Sequence, residues 1–203
     1  MRCEARRVED VGSALGTGVN SRTVVLVEGI SDQVALHAIA ERRGRDLDAD
    51  GISIVAMQGA TNIGHFLELF GPRGLAVGLG GLCDAGEEGM FRRGLERAGI
   101  GRNLTRADME SLGFYVCVAD LEDELIRSLG AASVQDVIDA QGELGSFRTM
   151  QKQPAQRGRT IDQQLRRFMS TRGGRKIRYA RLLVDALELT KVPRPLDRVL
   201  AHV

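Results

Sequence analysis

Glu28, Asp84, Asp120 and Glu122 each stand at, or just beyond, the end of an apolar run, and that placement carries chemical information. A carboxylate that follows TVVLV and precedes glycine gains little from folding alone. Asp32 lies four residues after Glu28 and Glu87 three after Asp84, so both fall in the first turn of any helix starting there. Carboxylates crowded into one pocket repel each other and are costly to desolvate, so they need protons or a cation. A hard divalent ion, Mg2+ or Mn2+, takes oxygen ligands and keeps positions open for water and phosphate. Two such ions stabilise the attacking and leaving oxygens of an in-line displacement at phosphorus. Taken singly, Asp32 and Glu87 also read as acids favoured at the positive end of a helix, and Asp84 as an N-cap. Among Asp120, Glu122, Asp123 and Glu124, at least two read as solvated helix-start residues. Their shared position at strand ends sets the group above its members.

A second feature is basic. Residues 119–143 hold seven Asp or Glu and one Arg, whereas residues 148–181 hold eleven Lys or Arg and a single acid, Asp162. Arg148, Lys152, Arg166, Arg167, Arg172, Arg175 and Arg178 from this run are candidates for neutralising phosphates, a contact that confers affinity without reading sequence. The preference for Arg suits bidentate phosphate contact, although an arginine-rich source proteome gives the same bias. Few aromatic residues interleave, so stacking on single-stranded bases is not indicated. Other chemistries have weaker footing. Cys83 and Cys117 sit in apolar stretches and read as small buried hydrophobes, and with Cys3 they share no metal-ligand or redox spacing. His37, His65 and His202 show no ligand or base spacing. TRGGRK (171–176) follows a helix rather than a strand and does not read as a phosphate loop.

The elements that must position these groups are legible in the periodicity. TVVLV (23–27) is a continuous β-branched run, the pattern of a strand covered on both faces. Ser31 is a suitable N-cap for a helix running to Arg42, after which Gly44 closes it. Further strands are expected at 52–57, 75–83 and 113–119. Helices are expected at 62–70, 87–98 and 105–112, then at 121–129, 133–141, 160–170 and 175–188. PRPLDRVLAHV is compatible with one more short helix. Strands alternating with helices imply an α/β fold with a four-stranded, mainly parallel sheet flanked by helices and a C-terminal helical extension. In such sheets ligands bind outside the carboxyl ends of the strands, where the acids fall.

Length and composition set bounds on this reading. At 203 residues, 43% hydrophobic and 27% charged, the chain suits one well-buried core rather than a disordered or membrane-embedded protein. No apolar run reaches the ~18 residues that a bilayer requires, and the first residues have no apolar signal core, so a cytoplasmic location is expected. Residues 1–21 read as a mobile or loosely packed lead-in, 22–130 as the metal-binding α/β domain and 131–203 as a basic helical extension packed on it.

The stretch TVVLVEGISDQVAL resembles the first motif of TOPRIM domains, in which a glutamate followed by glycine ends the first strand. GLCDAGEE resembles their second motif, an aspartate pair after the third strand. Within that superfamily the chain is most similar to the nuclease (TOPRIM) domain of the overcoming-lysogenization-defect (OLD) family, which has a second acid four residues after the glutamate, here Asp32. The resemblance also implies an acid after the fourth strand, matched by Glu122 in LEDELI, and a lysine in the following helical region, matched by Lys176 in GRKIRYARLL. It covers roughly residues 22–181. It departs from the pattern at Gly86, where the second aspartate is expected, so Glu87 or Glu88 has to substitute.

The resemblance implies a TOPRIM-like (Rossmann-like) fold and a Mg2+- or Mn2+-dependent nuclease that hydrolyses phosphodiesters. It implies Glu28, Asp32, Asp84, Glu87 and Glu122 as metal ligands, with Lys176 and Glu28 as the catalytic groups. The expected partner is nucleic acid, DNA rather than RNA. No GxxxxGK[ST] sequence occurs, so any ATP dependence requires a separate ATPase partner chain. Two other readings fit the same residues. One is a nucleic-acid-binding module that has lost catalysis, and the other is a small-molecule nucleotidyltransferase or phosphohydrolase.

Overall fold

The computed structural model describes residues 21–203, and the lead-in read at 1–21 lies, but for Ser21, outside the described residues. Four strands, β1 (Thr23–Val27), β2 (Ile52–Ala56), β3 (Gly78–Cys83) and β4 (Phe114–Val116), form one sheet in the order β2-β1-β3-β4, all parallel. β1 is central, and four of its five residues are buried. Because side chains alternate across a strand, Val25 and Val27 enter one core while Val24 and Leu26 enter the other. This two-sided burial explains why the run is continuously apolar rather than alternating.

Helices cover both faces. On one side lie α2 (Ile63–Phe70), α3 (Glu88–Ala98) and α4 (Arg106–Ser111), which enclose Val24, Leu26, Phe91, Met109 and Phe114. On the other lies α1 (Ile30–Arg42), joined by α5 (Leu121–Leu129), α6 (Ala131–Ala140), α7 (Leu144–Gln151), α8 (Ile161–Met169), α9 (Arg175–Ala186) and α10 (Arg194–His202). The chain beyond Leu129 therefore shares one core with the sheet, from Val25 to Leu200. Arg42 fastens α1 to the end of α9 by donating to the carbonyls of Val184 and Leu187, and Arg45 donates to Leu200 O at 2.6 Å.

Four sequence expectations change. The N-cap of α1 is Gly29 rather than Ser31, because the Asp32 carboxylate accepts the Gly29 N–H at 2.9 Å and closes the first turn from inside. β3 begins at Gly78 rather than Leu75. The N–H groups of Leu75, Ala76 and Val77 instead donate to the carbonyls of Leu69, Gly71 and Phe70, closing the end of α2. β4 ends at Val116 because the Val118 N–H turns away to donate to Glu124 Oε1 at 2.6 Å. α7 was not expected at all; its two buried residues, Phe147 and Met150, give too short a period to reveal it. The glycines of GLGGLC have a packing reason: a Cβ on Gly81 would lie 2.6 Å from the Phe114 ring, so only hydrogen lets β4 lie this close.

Candidate active site

The carboxyl ends of β1, β3 and β4 bring the predicted acids into one region. Glu28, directly after β1, receives the Asp84 N–H on Oε1 at 2.7 Å, which ties the end of β1 to the end of β3. Asp32 is only 7% exposed and lies close enough to Glu28 for mutual repulsion. Glu87 sits in a 3-10 turn, Ala85–Glu87, with Oε2 buried and without a partner, and it too repels Glu28. Glu122, in the first turn of α5 and 4% exposed, places Oε2 at 3.1 Å from Lys176 Nζ, while its Oε1 is buried without a partner. Glu28, Asp32, Asp84, Glu122 and Lys176 thus act on one another electrostatically although they span 149 positions, from 28 to 176.

The pKa directions follow from burial among like charges. Burial raises Glu28, Asp32 and Glu122 above the usual carboxylate range, and neighbouring carboxylates add to it. Asp84 is pushed up to about 8, by burial first and then by Glu28, Asp32 and Asp120. Burial alone would lower Lys176, but attraction to Glu122, Asp32 and Asp84 outweighs it and keeps the ammonium charged. Among the described residues, no arginine pairs with Glu28, Asp32 or Asp84. A single lysine therefore faces several carboxylates.

These side chains fit a divalent ion by donor type and by their uncompensated charge. The buried, unpartnered oxygens of Glu87 and Glu122 are the specific sign, since an orphaned buried carboxylate oxygen is costly unless a proton or cation meets it. Among the described residues, no group of three or more His, Cys, Asp or Glu is gathered as a ready-made cage. Mg2+ does not require one, because it usually binds through one or two carboxylates plus water and phosphate.

The structure also distinguishes among acids that the sequence left open. Glu88 pairs with Arg106, so Glu87 is the acid that faces Glu28. Gly86 is exposed, and a Cβ built there meets nothing within 4 Å. Glu124 is not a solvated helix-start residue: it is 3% exposed, accepts the Val118 N–H and pairs with Arg127 at 2.7 Å. Asp120 caps α5 by accepting the Asp123 N–H at 2.9 Å, pairs with Arg166 and repels Asp84. Cys83 and Cys117 are buried free thiols whose pKa burial raises well above the ordinary range.

The basic run divides in two. Arg175 is 4% exposed, donates to Phe168 O at 3.1 Å, Thr171 Oγ1 at 2.6 Å and Glu143 at 3.0 Å, and lies 4.0 Å from the Phe168 ring centroid. Its expected role as a phosphate contact is corrected accordingly, because its donors are consumed inside the fold. Arg166 and Arg178 are half-exposed but paired, with Asp120 and Glu143 respectively. Arg148, Lys152, Arg167 and Arg172 are exposed and have no carboxylate partner among the described residues.

Residues 21–79 match the model of the overcoming lysogenization defect protein-like TOPRIM domain, a span that contains Glu28 and Asp32. The chain is similar to OLD-like TOPRIM proteins. The C-terminal region of the Xanthomonas campestris pv. campestris OLD protein matches with a TM-score of 0.65 at 25% identity, over 91% of this chain and 95% of that one. The C-terminal region of the Burkholderia pseudomallei OLD protein matches with a TM-score of 0.67 at 21% identity, over 89% of this chain and 96% of that one, a likeness of fold alone. No curated protein matches the chain. OLD-like TOPRIM domains form a nucleic-acid-related family of metal-dependent nucleases, and TOPRIM domains generally bind divalent metals. The expected fold, a TOPRIM-like parallel sheet between helices with a helical extension, is the fold observed. No helix among the described residues is long and apolar enough to cross a membrane.

Proposed function

We propose that this chain is a Mg2+- or Mn2+-dependent phosphodiester hydrolase acting on nucleic acid, DNA rather than RNA. The observation that carries the reading is the meeting of Glu28, Asp32, Asp84 and Glu122 beside one lysine, with no arginine to neutralise the first three. In this reading the metal ligands are drawn from Glu28, Asp32, Asp84, Glu87 and Glu122, one or two carboxylates to an ion with water in the remaining positions. When bound, a divalent ion supplies positive charge to the phosphate oxygens and lowers the pKa of water.

The chain's own groups do the rest. Glu28 keeps its position through the Asp84 N–H, which ties the end of β1 to the end of β3. Lys176 stays protonated and is held toward the acids by Glu122, which preorganises a cation for the charge that develops on a phosphorane. Arg148, Lys152, Arg167 and Arg172 lack carboxylate partners among the described residues and supply non-specific affinity for the phosphate backbone. Arg166 and Arg178 join them only by exchanging a carboxylate for a phosphate. Any ATP-dependent activity draws on an ATPase module outside these 203 residues.

The test is cleavage of supercoiled plasmid, linear DNA and RNA with Mg2+, Mn2+ or EDTA. Glu28→Gln should slow Mn2+-dependent DNA cleavage, and Lys176→Ala should cost about 10²-fold, the usual loss when a preorganised charge donor is removed. Unchanged cleavage by Glu28→Gln rejects the proposal. Retention of DNA by the wild-type chain with no metal-stimulated turnover favours the degenerate binding module, for which Gly86 is the structural reason.

A further inference from the structure

Outside the acidic site, a cleft of about 650 Å3 lies between α7, the 3-10 turn Pro154–Gln156, α8 and the loop that precedes α9. Its volume is that of a small-molecule site. Arg159, Arg167 and Arg172 line it, are exposed, and have no carboxylate partner among the described residues. No Asp or Glu is among the lining residues. Arg175 lines the cleft too, but its donors are taken by Glu143, Phe168 O and Thr171, so Arg159, Arg167 and Arg172 are the side chains that can meet an anion there.

A second observation is independent of charge. Gln156 lines the same cleft and is 4% exposed, yet its Oε1 is buried with no hydrogen-bond partner. Its backbone, by contrast, is satisfied, with N–H donating to Gln153 O at 2.9 Å and the carbonyl accepting from Gln164 Nε2 at 3.1 Å. A buried amide oxygen without a donor is rare, because it forfeits its hydration for nothing. Met150 and Phe168 also border the cleft, but both are buried, Phe168 beneath the Arg175 guanidinium. A ligand that suits the cleft therefore carries a phosphate and a hydrogen-bond donor.

We propose that this cleft is a nucleotide-binding subsite separate from the acidic site. Arg159, Arg167 and Arg172 receive the phosphate, and Gln156 turns its buried Oε1 toward the cleft to accept from an amino or hydroxyl group of the base or sugar. The nucleotide is either free or the end of a nucleic-acid strand. The position of the cleft gives the strand a route: Arg159 and Arg167 also line a neighbouring cleft with Arg166, and Arg166 pairs with Asp120 at the acidic site. That route rests on the reading of the acidic site as a phosphodiester centre, whereas nucleotide binding does not.

The experiment is equilibrium titration of the full chain in EDTA, which separates binding from any metal-dependent reaction. The probes are deoxyadenosine monophosphate, a short 5′-phosphorylated DNA strand and inorganic phosphate. The nucleotide or the strand should saturate the chain and bind more tightly than phosphate. The double variant Arg167→Ala/Arg172→Ala should weaken that binding by at least about tenfold, the effect of losing charge-assisted hydrogen bonds. Gln156→Leu should weaken nucleotide binding and spare phosphate. Saturation by the mononucleotide assigns a free ligand, and saturation by the strand alone assigns a strand end. The proposal is overturned if neither saturates, if phosphate binds as tightly as the nucleotide, or if the arginine variant binds normally. Should Gln156→Leu fail to fold, the exposed arginine pair still decides.

Discussion

Replacing Asp84 by Asn should stabilise the metal-free protein, by an amount that grows as the pH rises from about 4 to about 8. Asp84 lies half-buried beside Glu28 and Asp32, and its pKa is pushed up to about 8 from an ordinary 3.8. An acid whose pKa is higher when folded than when unfolded exerts no penalty below the unfolded value, where both states hold the proton. Between pH 3.8 and about 8 the unfolded chain ionises freely while the folded chain does not, so stability falls across that window and levels off above it. Taken in full, the displacement corresponds to roughly 4 kcal/mol at pH 7. Solvent reaches the half-buried carboxyl, and screening reduces the figure to about 1–2 kcal/mol. For a domain of this size that is a rise of roughly 2–8 °C in Tm. Thermal unfolding in EDTA at pH 4 and pH 8 measures it. Asp84→Asn should match the wild type at pH 4 and exceed it at pH 8, and Mg2+ should then stabilise the wild type more than the variant. A variant no more stable than wild type at pH 8 refutes the claim that Asp84 is held among repelling carboxylates.

Two further outcomes follow from the same geometry. Gly86→Asp, placed where a Cβ meets nothing, should fold normally and bind Mn2+ about tenfold more tightly, since added ligand charge raises affinity; calorimetric titration checks this, and unchanged affinity removes position 86 from the site. Arg175→Ala should cost about 2–3 kcal/mol in urea denaturation because it empties a buried site packed on Phe168 and removes charge-assisted bonds to Glu143 and Phe168 O, although Arg178 and Tyr179 still reach Glu143, whereas Arg178→Ala, which breaks a half-exposed pair, should cost at most about 1 kcal/mol. Equal losses for the two arginines contradict the difference in burial.

The sheet and the acids at its ends were legible because both depend on local pattern. TVVLV announces a doubly covered strand, and Glu28-Gly29 marks where it stops. The carboxylates of Asp84 and Glu122 follow from the same rule once the strands are placed. What could not be read is which charges are satisfied internally. Arg175 and Arg172 are three positions apart in one basic run, yet Glu143, 32 residues upstream, reaches the first and not the second. Asp120 and Arg166 are 46 residues apart, a pairing fixed by the way α8 packs against α5. Glu124 looks like a solvated first-turn acid until β4 ends early and offers it the Val118 N–H. The orphaned oxygen of Gln156 has no signature in sequence, because only the surrounding helices decide that no donor reaches it.

The most direct test of the acidic centre is a Mn2+ titration followed by electron paramagnetic resonance on the wild type and on Glu28→Gln, with folding of both verified by circular dichroism. The wild type should take up Mn2+ saturably, and the variant should bind at least about tenfold more weakly, as expected when a ligand loses its charge. Equal Mn2+ binding by the two proteins, or none by the wild type, contradicts the account of these carboxylates as a metal site.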